Sequence, residues 1–196
     1  MNELLTIDEH DLGLTWVIDE PMQRASHALV DGGRVWLIDP VFVPEAVDRA
    51  AALGEPAGVI QLLDRHPRAC EKLAAQLGVP HLRLPDAIPG SPFEVITVLD
   101  VPKWREKALW WGERDALVVA EAVGTGPMFA EPAGIHIFLR LKPPGVLRDY
   151  DPRHLLVGHG PAVHGAEAKP ALETAYRRSR RDLPRTIAKL PSVMRG

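Results

Sequence analysis

The sequence predicts one α/β (α+β) domain in which two β-sheets pack face to face and helices cover their outer sides. Strand-like segments followed by helix-like segments occur twice along the 196-residue chain. Such elements bury their apolar faces when sheet packs on sheet and helices pack outside. The 19 prolines and 16 glycines also favour many short elements joined by defined turns over a long helical bundle.

The first half of the chain predicts a hairpin and two helices. Asp31-Gly32-Gly33 is a hairpin turn signal between two apolar segments. A helix over Pro44–Leu53 begins with proline, and a helix over Pro67–Leu77 ends before Gly78. The segments predicted as strands are Leu14–Ile18, Ser26–Val30, Arg34–Ile38, Gly58–Leu63 and Pro80–Leu84.

The second half starts again with strands and ends in a helical region over about 168–190, interrupted by Pro184. Gly112-Glu113-Arg114-Asp115 is a second hairpin signal, and a Gly- and Pro-rich loop runs from Gly124 to Gly134. We find neither a repeat nor a linker, so we expect residues 1–196 to form a single domain. The segments predicted as strands are Phe93–Leu99, Ala108–Trp111, Ala116–Ala120, Ile135–Leu141 and Leu155–Gly158.

Composition excludes several classes of protein. A net charge of −3 gives no global attraction to nucleic acid or to an anionic membrane. No apolar run approaches the roughly 20 residues that span a bilayer, and the N-terminus has no apolar stretch of signal-peptide length. Cys70 is the only cysteine, which rules out an intrachain disulfide and a cysteine-based zinc site. We therefore expect a cytoplasmic protein with no membrane partner, in which Cys70 is a buried structural thiol.

The strongest basic cluster is Tyr176–Arg185. It has no interleaved aromatic residues and no DNA-binding motif, so we expect a solvated helix face or a homo-oligomer contact, with no nucleic-acid partner. A nucleic-acid-associated protein that uses this helix is an alternative function, for which binding would depend steeply on salt.

The most informative stretch is Val59–Leu77, which predicts a buried strand, a polar turn and an amphipathic helix. The turn carries Asp64, Arg65, His66 and Arg68. A strand that ends in a cluster of histidine and acidic side chains is typical of metal-dependent hydrolase sites.

Four segments, taken in order, resemble the metallo-β-lactamase superfamily. ALVDGGRVWLIDPV resembles the opening hairpin of that family, with Asp39 at its strand-end acidic position. VIQLLDRHPRACEKLAAQLGVPH resembles the strand, loop and helix that carry the motif His-x-His-x-Asp-His. ALVVAEAV resembles the strand that delivers the bridging Asp, and LLVGHGP resembles the segment that delivers the final His. The resemblance implies a four-layer αββα sandwich of two mixed sheets with helices outside.

Within the motif, the resemblance places Asp64 at the first His and His66 at the second. Arg68 then falls where the Asp should be, and Ala69 where the last His should be. The two expected ligands at these last positions are therefore replaced.

The resemblance also assigns positions in the second half of the chain. Glu121 occupies the place of the bridging Asp, and His159 matches the final His. Trp104, in VPKW, stands where another His should be. These matches imply a metal site, in full or as a remnant, at Asp64, His66, Glu121 and His159, with a pocket at Arg68, Trp104 and Asp39.

The chemistry of these residues disfavours two metal ions. Arginine stays protonated in proteins, so Arg68 would repel a cation at the second position. Asp64, His66 and Glu121 are sufficient in kind to hold one zinc, manganese or iron ion with an open position. A different expectation is that no metal binds, that Arg68 pairs with Glu121 or Asp64, and that His159 is a hydrogen-bonded remnant.

The remaining histidines and tryptophans have simpler explanations. His136 lies in a predicted strand, where a lone His is usually packed or at the surface. His154 and His164 flank the His159 loop, where a surface role outweighs that of a compensating ligand. For Trp104, core packing outweighs the shaping of a pocket.

The leading hypothesis is a hydrolase-like protein whose dinuclear metal site is eroded, and which is non-catalytic or binds a small-molecule ligand. The alternative is a mononuclear metal-dependent hydrolase of ester, thioester or phosphoester bonds, as the resemblance implies. The expected cofactor is accordingly none, or one divalent ion of zinc, manganese or iron.

Overall fold

The computed structural model describes residues 2–182, and two facing β-sheets form its centre. The first sheet has the strand order β1-β2-β3-β4-β5-β6. Its strands are antiparallel from β1 to β4 and parallel from β4 to β6. They are β1 (Leu4–His10), β2 (Gly13–Ile18), β3 (Ala25–Asp31), β4 (Arg34–Ile38), β5 (Glu55–Gln61) and β6 (His81–Arg83).

The second sheet has the order β13-β12-β9-β8-β7 and is also mixed. Strands β12 and β9 are parallel, whereas the other neighbours are antiparallel. The strands are β7 (Glu94–Val101), β8 (Trp104–Trp111), β9 (Ala116–Val119), β12 (His154–Val157) and β13 (Val163–His164), and a separate short pair is formed by β10 (Val123–Gly124) and β11 (Gly134–Ile135).

Helices cover the outer sides of both sheets. Helices α1 (Pro44–Ala51) and α2 (Cys70–Leu77) pack on the first sheet, where Ala46, Leu73 and Cys70 share a buried cluster with its strands. Helix α3 (Ala168–Arg178) packs on the second sheet. The predicted four-layer αββα sandwich of two mixed sheets is therefore confirmed.

The core that joins the sheets is aromatic and branched-aliphatic. The Phe93 ring meets Trp36 and Trp111 edge-on, with centroid distances of 6.2 and 5.6 Å. Edge-to-face contacts of this kind add about 0.5–1.5 kcal/mol to the effect of burial. Other members of this central cluster are Leu29, Ile38, Ile60, Leu62, Leu109, Val118 and Leu156.

The structure confirms two turns that local sequence signals predict. Asp31 pairs with Arg34 across a two-residue turn in which Gly32 and Gly33 have φ of +53° and +80°. Two positive φ angles match the twist of a hairpin and favour glycine at both positions. Helix α2 ends at Gly78 in the left-handed conformation, as expected of a glycine that follows a helix.

The predicted strand over Ile135–Leu141 is wrong. Only Gly134–Ile135 is extended, and a 3₁₀ turn follows over Ile137–Leu139. His136 Nδ1 accepts a hydrogen bond from the Phe138 amide at 3.4 Å, and the Arg140 side chain donates to the Ile135 carbonyl at 2.8 Å. Since Phe138 and Leu141 are exposed, the alternation of apolar residues here does not reflect a strand with one buried face.

The two ends of the chain also differ from expectation. Strand β1 (Leu4–His10), which the sequence analysis did not predict, pairs with β2 at the edge of the first sheet. Helix α3 ends at Arg178, and the predicted continuation from 183 to 190 lies outside the described residues. No helix within residues 2–182 is long and apolar enough to cross a membrane.

Candidate metal centre

Three buried side chains from three loops converge where the two sheets meet. His66 follows β5, Glu121 follows β9 and His159 follows β12. One potential ligand atom from each lies within 4.8 Å of the others. Because β9 and β12 are parallel neighbours, their carboxyl ends deliver Glu121 and His159 to the same edge of the sheet.

The orientation of His66 is fixed by Asp39. His66 Nδ1 lies 3.4 Å from Asp39 Oδ2, and the other oxygen of Asp39 accepts a hydrogen bond from the Leu62 amide at 3.0 Å. A carboxylate that accepts from one ring nitrogen of a histidine leaves the other nitrogen free to bind a metal. Asp39, at the end of β4, therefore aims His66 Nε2 at the site.

The His159 ring is oriented by a main-chain carbonyl. His159 Nδ1 lies 3.0 Å from the Met22 carbonyl oxygen. The His159 carbonyl accepts from the amides of Thr125 and Gly126. Gly160 has φ of +95°, and a Cβ there would lie 2.2 Å from the Gly126 nitrogen, so the sequence His-Gly-Pro permits a close approach that another residue would block.

The two histidines present a pair of nitrogen atoms that can bind a cation. A carbonyl and a carboxylate both accept hydrogen bonds, so the Nδ1 atoms carry the protons and both Nε2 atoms carry lone pairs. These Nε2 atoms face each other at 3.4 Å. Burial, followed by the charge of Arg68, lowers the pKa of both His66 and His159, which disfavours a proton between them. The site therefore presents two converging lone pairs.

The spacing of the two histidine nitrogens matches metal coordination. Two imidazole nitrogens at about 2.0–2.1 Å from a tetrahedral zinc ion lie about 3.3 Å apart. The observed His66 Nε2–His159 Nε2 distance is 3.4 Å, and Glu121 Oε2 lies 4.0 Å from His66 Nε2. The two histidine nitrogens thus fit one metal ion as they stand, whereas Glu121 Oε2 lies farther from His66 Nε2 than tetrahedral spacing and would have to move closer to be the third ligand.

Both carboxylate oxygens of Glu121 have partners. Arg65 Nη2 donates to Oε2 at 2.8 Å, and His136 Nε2 lies 3.4 Å from Oε1. The Arg65 guanidinium also lies over the ring of Trp104, 4.1 Å from the centroid, and the His136 ring meets Trp104 edge-on at 4.9 Å. Arg65, His136 and Trp104 therefore form the rim around Glu121.

Glu106 lies beneath this rim and is fully buried. Its Oε1 accepts from the amides of Glu121 and Ala122 at 2.8 Å each, and its Oε2 accepts from Trp104 Nε1 at 3.0 Å. Burial raises the pKa of Glu106 to about 7, although the three donated hydrogen bonds oppose this shift. Glu106 thus fixes both the main chain of Glu121 and the indole of Trp104.

Comparison with solved structures identifies the fold. No family model matches the sequence, and no curated protein matches it significantly. The DIM-1 metallo-β-lactamase is similar with a TM-score of 0.56 at 14% identity, over 88% of this chain and 98% of that one. ETHE1 from Myxococcus xanthus is similar with a TM-score of 0.56 at 17% identity, over 87% of each chain. The chemotaxis sensor ODP, in a peroxy diiron form, is similar with a TM-score of 0.54 at 14% identity, over 88% of this chain and 94% of that one. The chain has the metallo-β-lactamase fold.

Arg68 occupies an unexpected place in this metallo-β-lactamase fold. Its guanidinium donates to the carbonyls of Ala25, Asp39 and Gly158 at 2.5, 2.7 and 3.0 Å. The predicted pairing of Arg68 with Glu121 or Asp64 is therefore wrong, and Arg65 takes that role at Glu121. This arrangement could not be predicted from the sequence, because all three acceptors are main-chain carbonyls at separate strand ends and no residue type marks them.

Asp64 is not part of the group of converging ligands. Its Oδ2 accepts a hydrogen bond from the Arg105 amide at 3.0 Å, and its own amide donates to the Arg105 carbonyl. Asp64 therefore ties the end of β5 to the start of β8, outside the group of converging ligands. Within residues 2–182 the ligand group contains only His66, Glu121 and His159 of the four predicted positions.

His154 and His164 also lie away from the site. Their Nδ1 atoms are 2.8 Å apart, and their Nε2 atoms face Asp11 at 3.7 Å and Asp8 at 3.2 Å, respectively. Neither is a compensating ligand, and both side chains are partly buried rather than at the surface. Cys70 is buried, as expected, and burial raises the pKa of its thiol.

Two site residues escaped the sequence analysis. His136 was hidden by an apolar alternation that imitates a strand, although its position after a Gly- and Pro-rich loop was a usable signal. Glu106 is the one buried acidic residue in β8, and no motif marks it. Both act on Glu121, one through a side-chain contact and one through the main chain.

Proposed function

We propose that this protein is a mononuclear metal-dependent hydrolase in which His66, Glu121 and His159 hold one divalent ion. The dinuclear centre implied by the family resemblance is reduced to one position, because the fixed charge of Arg68 disfavours a second ion nearby. The bonds we expect it to cleave are ester, thioester or phosphoester bonds.

The observation that carries the proposal is the pair of facing Nε2 lone pairs at 3.4 Å, with a carboxylate oxygen beside them. Two histidines and one carboxylate form a ligand set known from catalytic zinc sites, and the same ligand types suit iron and manganese. By their names, DIM-1 is a metallo-β-lactamase and ODP forms a diiron species. Metal binding by such structural neighbours supports a metal here.

A divalent ion at this site would polarise a substrate oxygen and lower the pKa of water. The protein's own residues would orient the ligands of the ion and exclude water from the site. Asp39 and the Met22 carbonyl hold the two imidazoles in one tautomer, and Glu106 holds the main chain of Glu121. Trp104 and Phe129, both buried, restrict solvent on the side of His136.

A metal-free protein that binds a small-molecule ligand is the second candidate. The ion pair between Arg65 and Glu121 favours it, because a carboxylate that is already neutralised attracts a cation less strongly. In this case the protein would be non-catalytic, and the two histidines would retain their places through Asp39 and Met22 alone.

Metal content separates the two candidates. Tag-free protein is incubated with zinc, manganese or iron, desalted, and measured by plasma mass spectrometry. We expect about one equivalent in the wild type, and a loss of at least tenfold in affinity for His66→Ala because one of three ligands is gone. Chromogenic ester, thioester and phosphoester substrates then test hydrolysis by the loaded protein.

The matched control is His81→Ala. His81 is partly buried and lies 3.2 Å from the Gln61 side chain, apart from the ligand group. It should bind metal like the wild type, with both variants checked for folding by circular dichroism. Equal metal content in wild type and folded His66→Ala would exclude this ligand set, and no retained metal under any condition would favour the non-catalytic candidate.

A further inference from the structure

The Arg65 side chain is placed where it can serve two partners in turn. Its side chain is 42% exposed, whereas that of its partner Glu121 is 12% exposed. Within residues 2–182 its guanidinium donates one hydrogen bond, to Glu121 Oε2, and rests on the face of Trp104. Most of its five N–H donors are therefore free at the mouth of the site.

The same oxygen of Glu121 is required by Arg65 and by a metal ion. Oε2 is the oxygen 2.8 Å from Arg65 Nη2, and it is also the oxygen 4.0 Å from His66 Nε2. A guanidinium and a divalent ion repel each other, so they compete for this oxygen. Because the Arg65 side chain is 42% exposed, solvent screens this ion pair, and its replacement costs less than that of a fully buried pair.

The stacking on Trp104 would keep Arg65 at the site after it leaves Glu121. Cation–π contacts do not depend on Glu121, and Trp104 is itself held by Glu106. A guanidinium held beside a metal site is a bidentate receptor for a carboxylate or a phosphate.

The surface next to Arg65 is aromatic. The Phe138 ring is 79% exposed and lies 5.4 Å from the His136 ring, which in turn meets Trp104. An exposed aromatic side chain beside a buried polar site suits the apolar part of a ligand.

We propose that Arg65 is a specificity-determining residue: it pairs with Glu121 in the metal-free protein and binds an oxyanion of the substrate once a metal occupies the site. This inference rests on the proposed metal-dependent function and names its substrate class. The substrate carries a carboxylate or phosphate group next to an apolar, aryl-like portion that packs on Phe138.

The first test measures zinc affinity by chelator competition in wild type and Arg65→Gln. Removal of the competing guanidinium frees Glu121, so Arg65→Gln should bind zinc about two- to fivefold more tightly. Arg105→Gln removes the same charge from an exposed neighbouring side chain and should keep the wild-type affinity. An Arg65→Gln affinity equal to that of the control would overturn the competition.

The second test measures ligand binding to zinc-loaded protein by calorimetry. Benzoate and phenyl phosphate are the charged probes, and benzamide is the neutral one. Arg65→Gln should weaken binding of at least one charged probe about tenfold, while benzamide binding stays unchanged. The probe that is affected identifies the head group as carboxylate or phosphate.

The outcomes distinguish the two proposals. Zinc binding with equal probe affinities in wild type and Arg65→Gln leaves the metal-dependent function standing and overturns the role of Arg65. Zinc binding by Arg65→Gln that exceeds that of the wild type supports both. No zinc binding by either protein overturns both.

Discussion

The buried carboxylate of Glu106 fixes the Glu121 side of the candidate metal centre. It accepts three hydrogen bonds, two from the main chain at Glu121 and Ala122 and one from the indole of Trp104. The residue touches no proposed ligand atom. Glu106 acts by holding the main chain of Glu121 in place, so it is a positioning residue for metal binding.

We expect Glu106→Gln to destabilise the protein by about 1–3 kcal/mol, because an amide offers one acceptor oxygen where the carboxylate offers two. Urea denaturation measures this change. Zinc affinity should fall together with stability, since Glu121 loses its fixed main-chain position. A variant with wild-type stability and zinc affinity would mean that Glu106 does not position the site.

The guanidinium of Arg68 is a structural group in this protein. We expect Arg68→Met, which retains much of the side-chain volume, to cost about 3 kcal/mol or more because up to three carbonyls lose a charged donor. Arg105→Met is the surface control and should change the free energy of unfolding by less than about 0.5 kcal/mol. Similar unfolding midpoints for the two variants would contradict this structural role.

At the scale of elements, strand ends assemble the site. The loop after β5 is held to β8 by main-chain hydrogen bonds from Asp64 to Arg105 and from Lys107 to Leu62. The β9 and β12 ends are held by their parallel register. Each ligand therefore lies two to five residues beyond the end of a strand.

Elements with strong local chemistry were predictable from the sequence. The Gly32-Gly33 hairpin and the α2 helix ending at Gly78 follow from backbone preferences, and both are present. Glu121 and His159 were placed by the family resemblance of the segments ALVVAEAV and LLVGHGP. The segment around His136 was mistaken for a strand because a 3₁₀ turn stabilised by side-chain contacts has the same apolar alternation.

The residues that form the site could be predicted from the sequence better than the contacts they make. His66, Glu121 and His159 converge as the resemblance implied, while Asp64 turns to a main-chain amide. The partners of Arg65 and Arg68 depend on which carboxylate or carbonyl is nearest in space. That choice is set by packing between distant segments, such as Arg68 and Gly158, and has no local sequence signal.

For the molecule as a whole, buried and partly buried histidines make stability depend on pH. Burial lowers the pKa of His10 to about 4 and of His27 to about 3. The unfolded chain binds these protons near pH 6.5, so the stability they contribute is complete above that value and is lost as pH falls towards 4 and 3. Glu106, with its pKa raised to about 7, opposes this trend below pH 7, because the folded state then binds the extra proton.

We expect the free energy of unfolding to fall by about 1 kcal/mol or more between pH 7 and pH 5, since each such histidine contributes up to about 1.4 kcal/mol per pH unit and the buried histidines outnumber Glu106. Urea denaturation at several pH values measures the slope. His27→Gln should flatten it, whatever its effect on stability at pH 7. A slope in His27→Gln equal to that of the wild type would contradict the lowered pKa of His27.

The position of Arg68 has a consequence for how the protein depends on its surroundings. The positive charge that joins three strand ends belongs to the Arg68 side chain, so it is present as soon as the chain has been synthesised. We therefore expect the protein to fold without a metal ion. Metal availability would then set how many molecules are loaded, while the number of folded molecules stays the same.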